Sequence, residues 1–168
     1  MAGSMRVLGI DPGSIVTGYG IIEDCRDKLT HVTSGAISLS RITSFPQRLR
    51  EIYERLTSII SSYSPECAAI EEVFFAKNVR SAILLSHARG VAILAAENAR
   101  LPLCEYSPLE VKQSLVGYGR ASKDQIEKMT KRLLNISQIK SLDASDALAV
   151  AICHLHTART KERMRIAP

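Results

Sequence analysis

The sequence predicts an α/β protein with a five-stranded mixed sheet and helices on both faces. Three observations predict it. The chain opens with three strand-like segments separated by short turns. Beyond them, apolar runs of strand length alternate with stretches of helical period, the pattern of parallel strands joined by helices. The 168 residues are 46% hydrophobic and 23% charged, the composition of one globular domain with a sizeable core.

Residues 6–10 form an apolar run ending at Asp11, and Pro12-Gly13-Ser14 breaks it, so a strand and a tight turn are expected there. A second strand is expected over 17–23, and a third, rich in Thr, Val and Ile, over 29–37. Pro46 stands where a helix would begin, with Ser44 as its N-cap. Leu49, Ile52, Tyr53, Leu56, Ile59 and Ile60 then recur at steps of three and four, one helical stripe that Ser64-Pro65 stops. Cys67 to Ile70 reads as a short buried strand ending at Glu71-Glu72. A long helix is expected over 79–100, with Ile83, Leu84, His87, Val91, Leu94 and Ala95 along one side. Gly90 in its middle costs about 1 kcal/mol against alanine and suggests a close packing contact. A fifth strand over 101–106 precedes helices over 108–116, 122–134 and 142–158, and Ser122 with Gln125 has capping-box spacing.

Residues 1–4, ahead of a second methionine at Met5, read as an expression scar; residues 5–157 form the domain, and residues 158–168 a basic, frayed tail. The N-terminus lacks a signal-peptide layout, and no run of about 18 apolar residues suggests a membrane span. Cys25, Cys67, Cys104 and Cys153 show no Cys-x-x-Cys spacing, and the last three lie in apolar runs, so buried free thiols of a cytoplasmic protein are expected. His154 and His156 fall on different faces of a helix, which argues against a shared metal. With no tryptophan and 5% aromatics, a broad base-stacking platform is excluded.

Four acids stand in unusual places. Asp11 and Glu71 each end an apolar strand, and Asp143 and Asp146 open an otherwise apolar helix. Each has an ordinary alternative: Asp11 as a turn residue, Glu71 as a solvated strand end, Asp143 and Asp146 as acids favoured by a helix N-terminus. Gathered at the carboxyl edge of a sheet, the four would repel one another unless a cation joined them. Hard oxygen ligands suit Mg²⁺ or Mn²⁺, and two such ions clamp the attacking and leaving oxygens of a phosphoryl transfer without a Ser, Cys or His nucleophile.

Gly9-Ile10-Asp11-Pro12-Gly13-Ser14 followed by Thr17-Gly18-Tyr19-Gly20 resembles the N-terminus of the bacterial RuvC Holliday-junction resolvases. Residues 69–78, Ala88 to Ala92, Val111-Lys112-Gln113 and Asp143 to Ala149 resemble later motifs of that family in the same order, so the likeness runs from Met5 to about His156. The resemblance implies an RNase H-like fold and a homodimeric, Mg²⁺-dependent endonuclease acting in DNA recombination and repair. Two ions per site are implied, with Mn²⁺ as a substitute. Such an enzyme resolves four-way DNA junctions by paired symmetric nicks that leave 5′-phosphate and 3′-hydroxyl ends, in concert with the branch-migration proteins RuvA and RuvB. It also implies that Asp11, Glu71, Asp143 and Asp146 are the catalytic metal ligands. Phe74 is implied to stack on bases at the junction centre, with Phe75, Lys77, Lys112 and Lys123 as further DNA contacts. Glu72 stands where other members carry glutamine and receives no metal role.

Charge segregation agrees with a nucleic-acid partner. From Lys112 to Arg132 six bases face two acids, net +4, and the tail from Thr157 is +3, while the rest of the chain nets −2 within a total of +5. Three other readings share some of these features: a sugar-kinase-type phosphotransferase, for which the chain is too short; an RNA-processing nuclease of the same fold; and a non-catalytic DNA-binding domain, against which the four acids argue.

Overall fold

A computed structural model of the chain describes residues 4–25, 28–72 and 78–166. Strands β1 (Met5–Asp11), β2 (Val16–Cys25) and β3 (Lys28–Ser38) form an antiparallel meander. β4 (Cys67–Glu71) pairs parallel with β1 and β5 (Leu103–Tyr106) parallel with β4, giving the order β3-β2-β1-β4-β5. The central β1 alternates its side chains between two cores, as a strand covered on both faces must. Val7 joins Ile22, Cys67 and Ala69 under α3 (Pro108–Val116), α4 (Lys123–Leu134) and α5 (Leu142–Ile166). Leu8 and Ile10 join Ile21, Ala68 and Ile70 under α1 (Phe45–Tyr63) and α2 (Val79–Asn98).

The helix ends follow local chemistry. The Ser122 side chain accepts from the Gln125 amide and Gln125 returns the bond, so the expected capping box forms; Ser107 and Glu110 build a second one on α3. Ser44 occupies the N-cap of α1 without a side-chain bond, and Ser64 ends that helix in the left-handed region, φ 46°. Arg100 also adopts positive φ, 56°, so Ala99 and Arg100 make the turn after α2, and β5 starts only at Leu103.

The structure decides which side of α2 is buried, a point its apolar stripe leaves open. Its buried face is alanine, Ala88, Ala92, Ala95 and Ala96, because alanines let the helix lie close to its neighbours. The Ile83–His87–Leu94 side faces outward, with Ile83 and Leu94 each 51% exposed. Among the described residues nothing stands where the Cβ of Gly90 would be, so no close packing contact explains it there. By length and average composition α2 would suffice to cross a membrane, but Arg80, Arg89 and Glu97 interrupt it and its alanine face belongs to the core.

The tail is corrected as well. α5 continues to Ile166 instead of fraying after residue 157. Arg159 fastens it to β2 through two bonds to Asp24, Nε to Oδ2 at 2.8 Å and Nη2 to Oδ1 at 2.6 Å. The four cysteines are free; Cys67 and Cys153 are buried, Cys104 is half-buried and Cys25 is exposed.

α5 lies directly on the backbone of β1 and β2. A Cβ on Gly9 would overlap the carbonyl oxygen of Ala147, and one on Gly18 would overlap that of Asp143. A Cβ on Gly20 would press on Leu148. Gly9 and Gly20 are paired across the two strands, so the floor beneath the helix is continuous. Gly9→Ala should lower the unfolding free energy by about 1–3 kcal/mol, read from urea denaturation, because backbone and not a side-chain tip must give way. A variant as stable as the parent would show that α5 moves freely on the sheet.

Candidate active site at the carboxyl edge of the sheet

The sheet topology brings the expected acids to one edge. β1 and β4 are parallel and adjacent, with Ile10 opposite Ile70, so Asp11 and Glu71 leave the sheet side by side. On its other side Asp11 is paired with Gly18, and the backbone of Asp143 rests on Gly18. One helical turn later comes Asp146, on the same face of α5. The turn after Asp11 is fixed by buried Thr17, whose hydroxyl donates to the Gly13 carbonyl at 2.8 Å.

Electrostatics ties the group together. Burial pushes the Asp11 carboxyl up to about 7, and the charges of Asp146, Glu71 and Asp143 push the same way, while Lys123 opposes them. Glu71 is also raised, chiefly by burial and then by Asp146, with Lys123 and Lys112 pulling down. Lys123 is held above the ordinary lysine value, first by the charge of Asp146 and then by its hydrogen bond. Its Nζ lies 3.1 Å from Asp146 Oδ2. A cavity of about 250 Å³ opens beside these groups, lined by Glu71, Lys112, Lys123 and Asp146 and by the apolar Val111 and Ile126. Acids and lysines sharing one cavity suit a phosphodiester accompanied by cations.

Among the described residues, no three His, Cys, Asp or Glu side chains stand close enough to hold a metal ion as they are. The donor chemistry nevertheless fits a hard cation. All four donors are carboxylates, three of them raise the pKa of the fourth, and the positive charge beside them is a lysine ammonium that a divalent ion can replace. Phe74, Phe75 and Lys77 lie outside the described residues. The two histidines of α5 are apart: buried His154 bonds Tyr106 Oη at 2.9 Å, and His156 bonds Ser114 Oγ at 3.1 Å.

Arg89 was missing from the expected site. Its Nε donates to the Glu71 carbonyl oxygen at 3.3 Å and its guanidinium pairs with Glu105. A charged residue inside an apolar helical stretch was the available signal.

A five-stranded mixed sheet with its first three strands antiparallel, flanked by helices and carrying acids at its carboxyl edge, is the RNase H-like fold, and the chain is a nuclease of that class. The family model described as "Crossover junction endodeoxyribonuclease RuvC" matches residues 7–154. The RuvC of Geobacter metallireducens is 52% identical over 161 residues, covering 96% of this chain and 98% of the relative. The Thermus thermophilus RuvC structure superposes with a TM-score of 0.84 at 30% identity, covering 94% of this chain and 97% of that one. A second Thermus thermophilus RuvC structure, in complex with a Holliday junction substrate, gives a TM-score of 0.83 at 29% identity, covering 93% and 96%. The chain belongs to the RuvC family of crossover junction endodeoxyribonucleases.

The raised Asp11 has a measurable consequence without any ligand. Its folded value is about 7 against an ordinary aspartate value of 3.8, so between those limits the native state holds a proton that the unfolded chain has released. Stability therefore falls as pH rises from about 4 to 7 through this group. In metal-free buffer Asp11→Asn should melt several degrees higher than the parent at pH 8 and at the same temperature at pH 4. Equal melting at pH 8 would show that the acid is not strained.

Proposed function

We propose that the protein resolves four-way DNA junctions with Mg²⁺ held by Asp11, Glu71, Asp143 and Asp146, making paired symmetric nicks that leave 5′-phosphate and 3′-hydroxyl ends. The observation that carries this reading is the convergence on Asp11 of charge from the other three acids, balanced by a single lysine. Mg²⁺, two ions per site, supplies the activated water and the charge that the leaving oxygen needs. Asp11 and Glu71 stand at the ends of parallel strands, and Asp143 and Asp146 in the first turns of α5, so the backbone brings all four to one edge and a bound cation would draw their side chains together. Lys112 and Lys123 line the same cavity and hold the phosphate at the scissile position; Lys123 exchanges its bond with Asp146 for a phosphate oxygen. Phe74 stacks on bases at the junction centre, with Phe75 and Lys77 beside it. The protein acts in the cytoplasm with RuvA and RuvB.

Two-fold symmetric nicking calls for two copies of the site, and α2 offers the face for a homodimer. Its outward side forms an open apolar groove with α1, lined by Leu49, His87, Gly90, Val91 and Leu94. Gly90, whose Cβ position is open among the described residues, lets a second backbone approach. Leu94→Asp should give a folded monomer by sedimentation velocity. A dimer of unchanged strength would place the interface elsewhere.

Cleavage mapping on a mobile junction tests the reaction itself. Symmetric paired nicks in Mg²⁺ are expected, with linear duplex and RNA–DNA hybrid left intact. Asp11→Asn should reduce the rate by at least about a hundredfold. Lys112→Ala or Lys123→Ala should reduce it about 10–100-fold, the value of a hydrogen bond to a charged group, at nearly unchanged melting temperature. Full activity in Asp11→Asn would overturn the carboxylate assignment, and scattered cuts would indicate a general nuclease.

A further inference from the structure

Glu71 sits where the sheet runs out. Ile70 is held from both sides, by Ile10 of β1 and Glu105 of β5, whereas Glu71 is paired only with Tyr106. Immediately beyond, the Glu72 amide donates to the Tyr106 carbonyl at 2.8 Å. The backbone that aims the Glu71 carboxylate therefore has a ladder on one side alone. Arg89 reaches this point from α2, donating from Nε to the Glu71 carbonyl oxygen at 3.3 Å, while its Nη2 pairs with Glu105 Oε2. The guanidinium is largely buried, its side chain 18% exposed, and its planar fork makes both contacts at once.

We propose that Arg89 is a positioning residue for the nuclease reaction, clamping the last residue of β4 to β5 so that Glu71 presents its carboxylate to the cation site. The inference rests on the proposed ligand role of Glu71. Arg89 itself stays clear of substrate and metal. It acts through the Glu71 main chain, and Glu105 holds the guanidinium in place. Lysine cannot reproduce the arrangement, since one ammonium group lacks the fork that spans a carbonyl and a carboxylate.

Hydrogen exchange on the full-length, metal-free protein reads the clamp without activity. Arg89→Ala and Arg89→Lys should each speed exchange over residues 69–72 by about tenfold, the effect of losing roughly one net hydrogen bond locally. Amides of Ile10 and Ala147 should exchange as in the parent. In junction cleavage, both variants should need several-fold more Mg²⁺ for half-maximal rate and recover most of the parental rate at saturating Mg²⁺. Glu105→Gln, which keeps an acceptor but loses the charge, should fall between parent and Arg89→Ala in both readouts. Parental exchange and Mg²⁺ dependence in Arg89→Ala would overturn the proposal, as would a uniform rise in exchange across all strands, which marks general destabilisation. If Asp11→Asn cleaved normally, the ligand assignment would fail instead, whatever Arg89 did.

Discussion

Helix α5 rests on backbone, and much of the site follows from that contact. Gly9, Gly18 and Gly20 provide a floor without side chains, so the carbonyls of Asp143 and Ala147 approach β1 and β2 at distances no Cβ would permit. The register does the rest: Gly18 is opposite Asp11, so the residue resting on Gly18 must stand beside Asp11. Parallel pairing of β1 with β4 sets Glu71 on the other flank. Four acids distant in sequence are gathered by two strand registers and one close helix–sheet contact.

The same contact concentrates negative charge where water is scarce, which opposes folding. Part of that opposition is relieved by Asp11 holding its proton and part by Lys123 lying against Asp146. Both arrangements are reversible, whereas apolar residues at these positions would give a more stable protein that lacks oxygen donors. Stability is given up at one edge of the sheet, while the two apolar cores behind it secure the fold.

Most of the architecture was legible in the sequence because period and punctuation agree along the chain. Pro12-Gly13, Ser64-Pro65 and the Ser122–Gln125 capping box mark real boundaries. The acids were legible because carboxylates at the ends of apolar runs are chemically out of place. What could not be read depends on the third dimension. α2 carries large apolar residues on one side and alanines on the other; periodicity alone leaves open which side is core, and close packing puts the alanines inside. The end of α5 looks polar and frayed in sequence, and its anchor, Asp24, is 135 residues away. Arg89 likewise acts on a carbonyl group, a partner no side-chain pattern encodes.

The Lys123–Asp146 pair bears on the order of events after synthesis. In the metal-free chain the carboxylates are made tolerable from within, by the proton on Asp11 and by the ammonium beside Asp146. A lysine from α4 lets the polypeptide mature first and be armed afterwards. Cutting can then be governed by cation supply and by the arrival of DNA, with the protein waiting intact in the meantime.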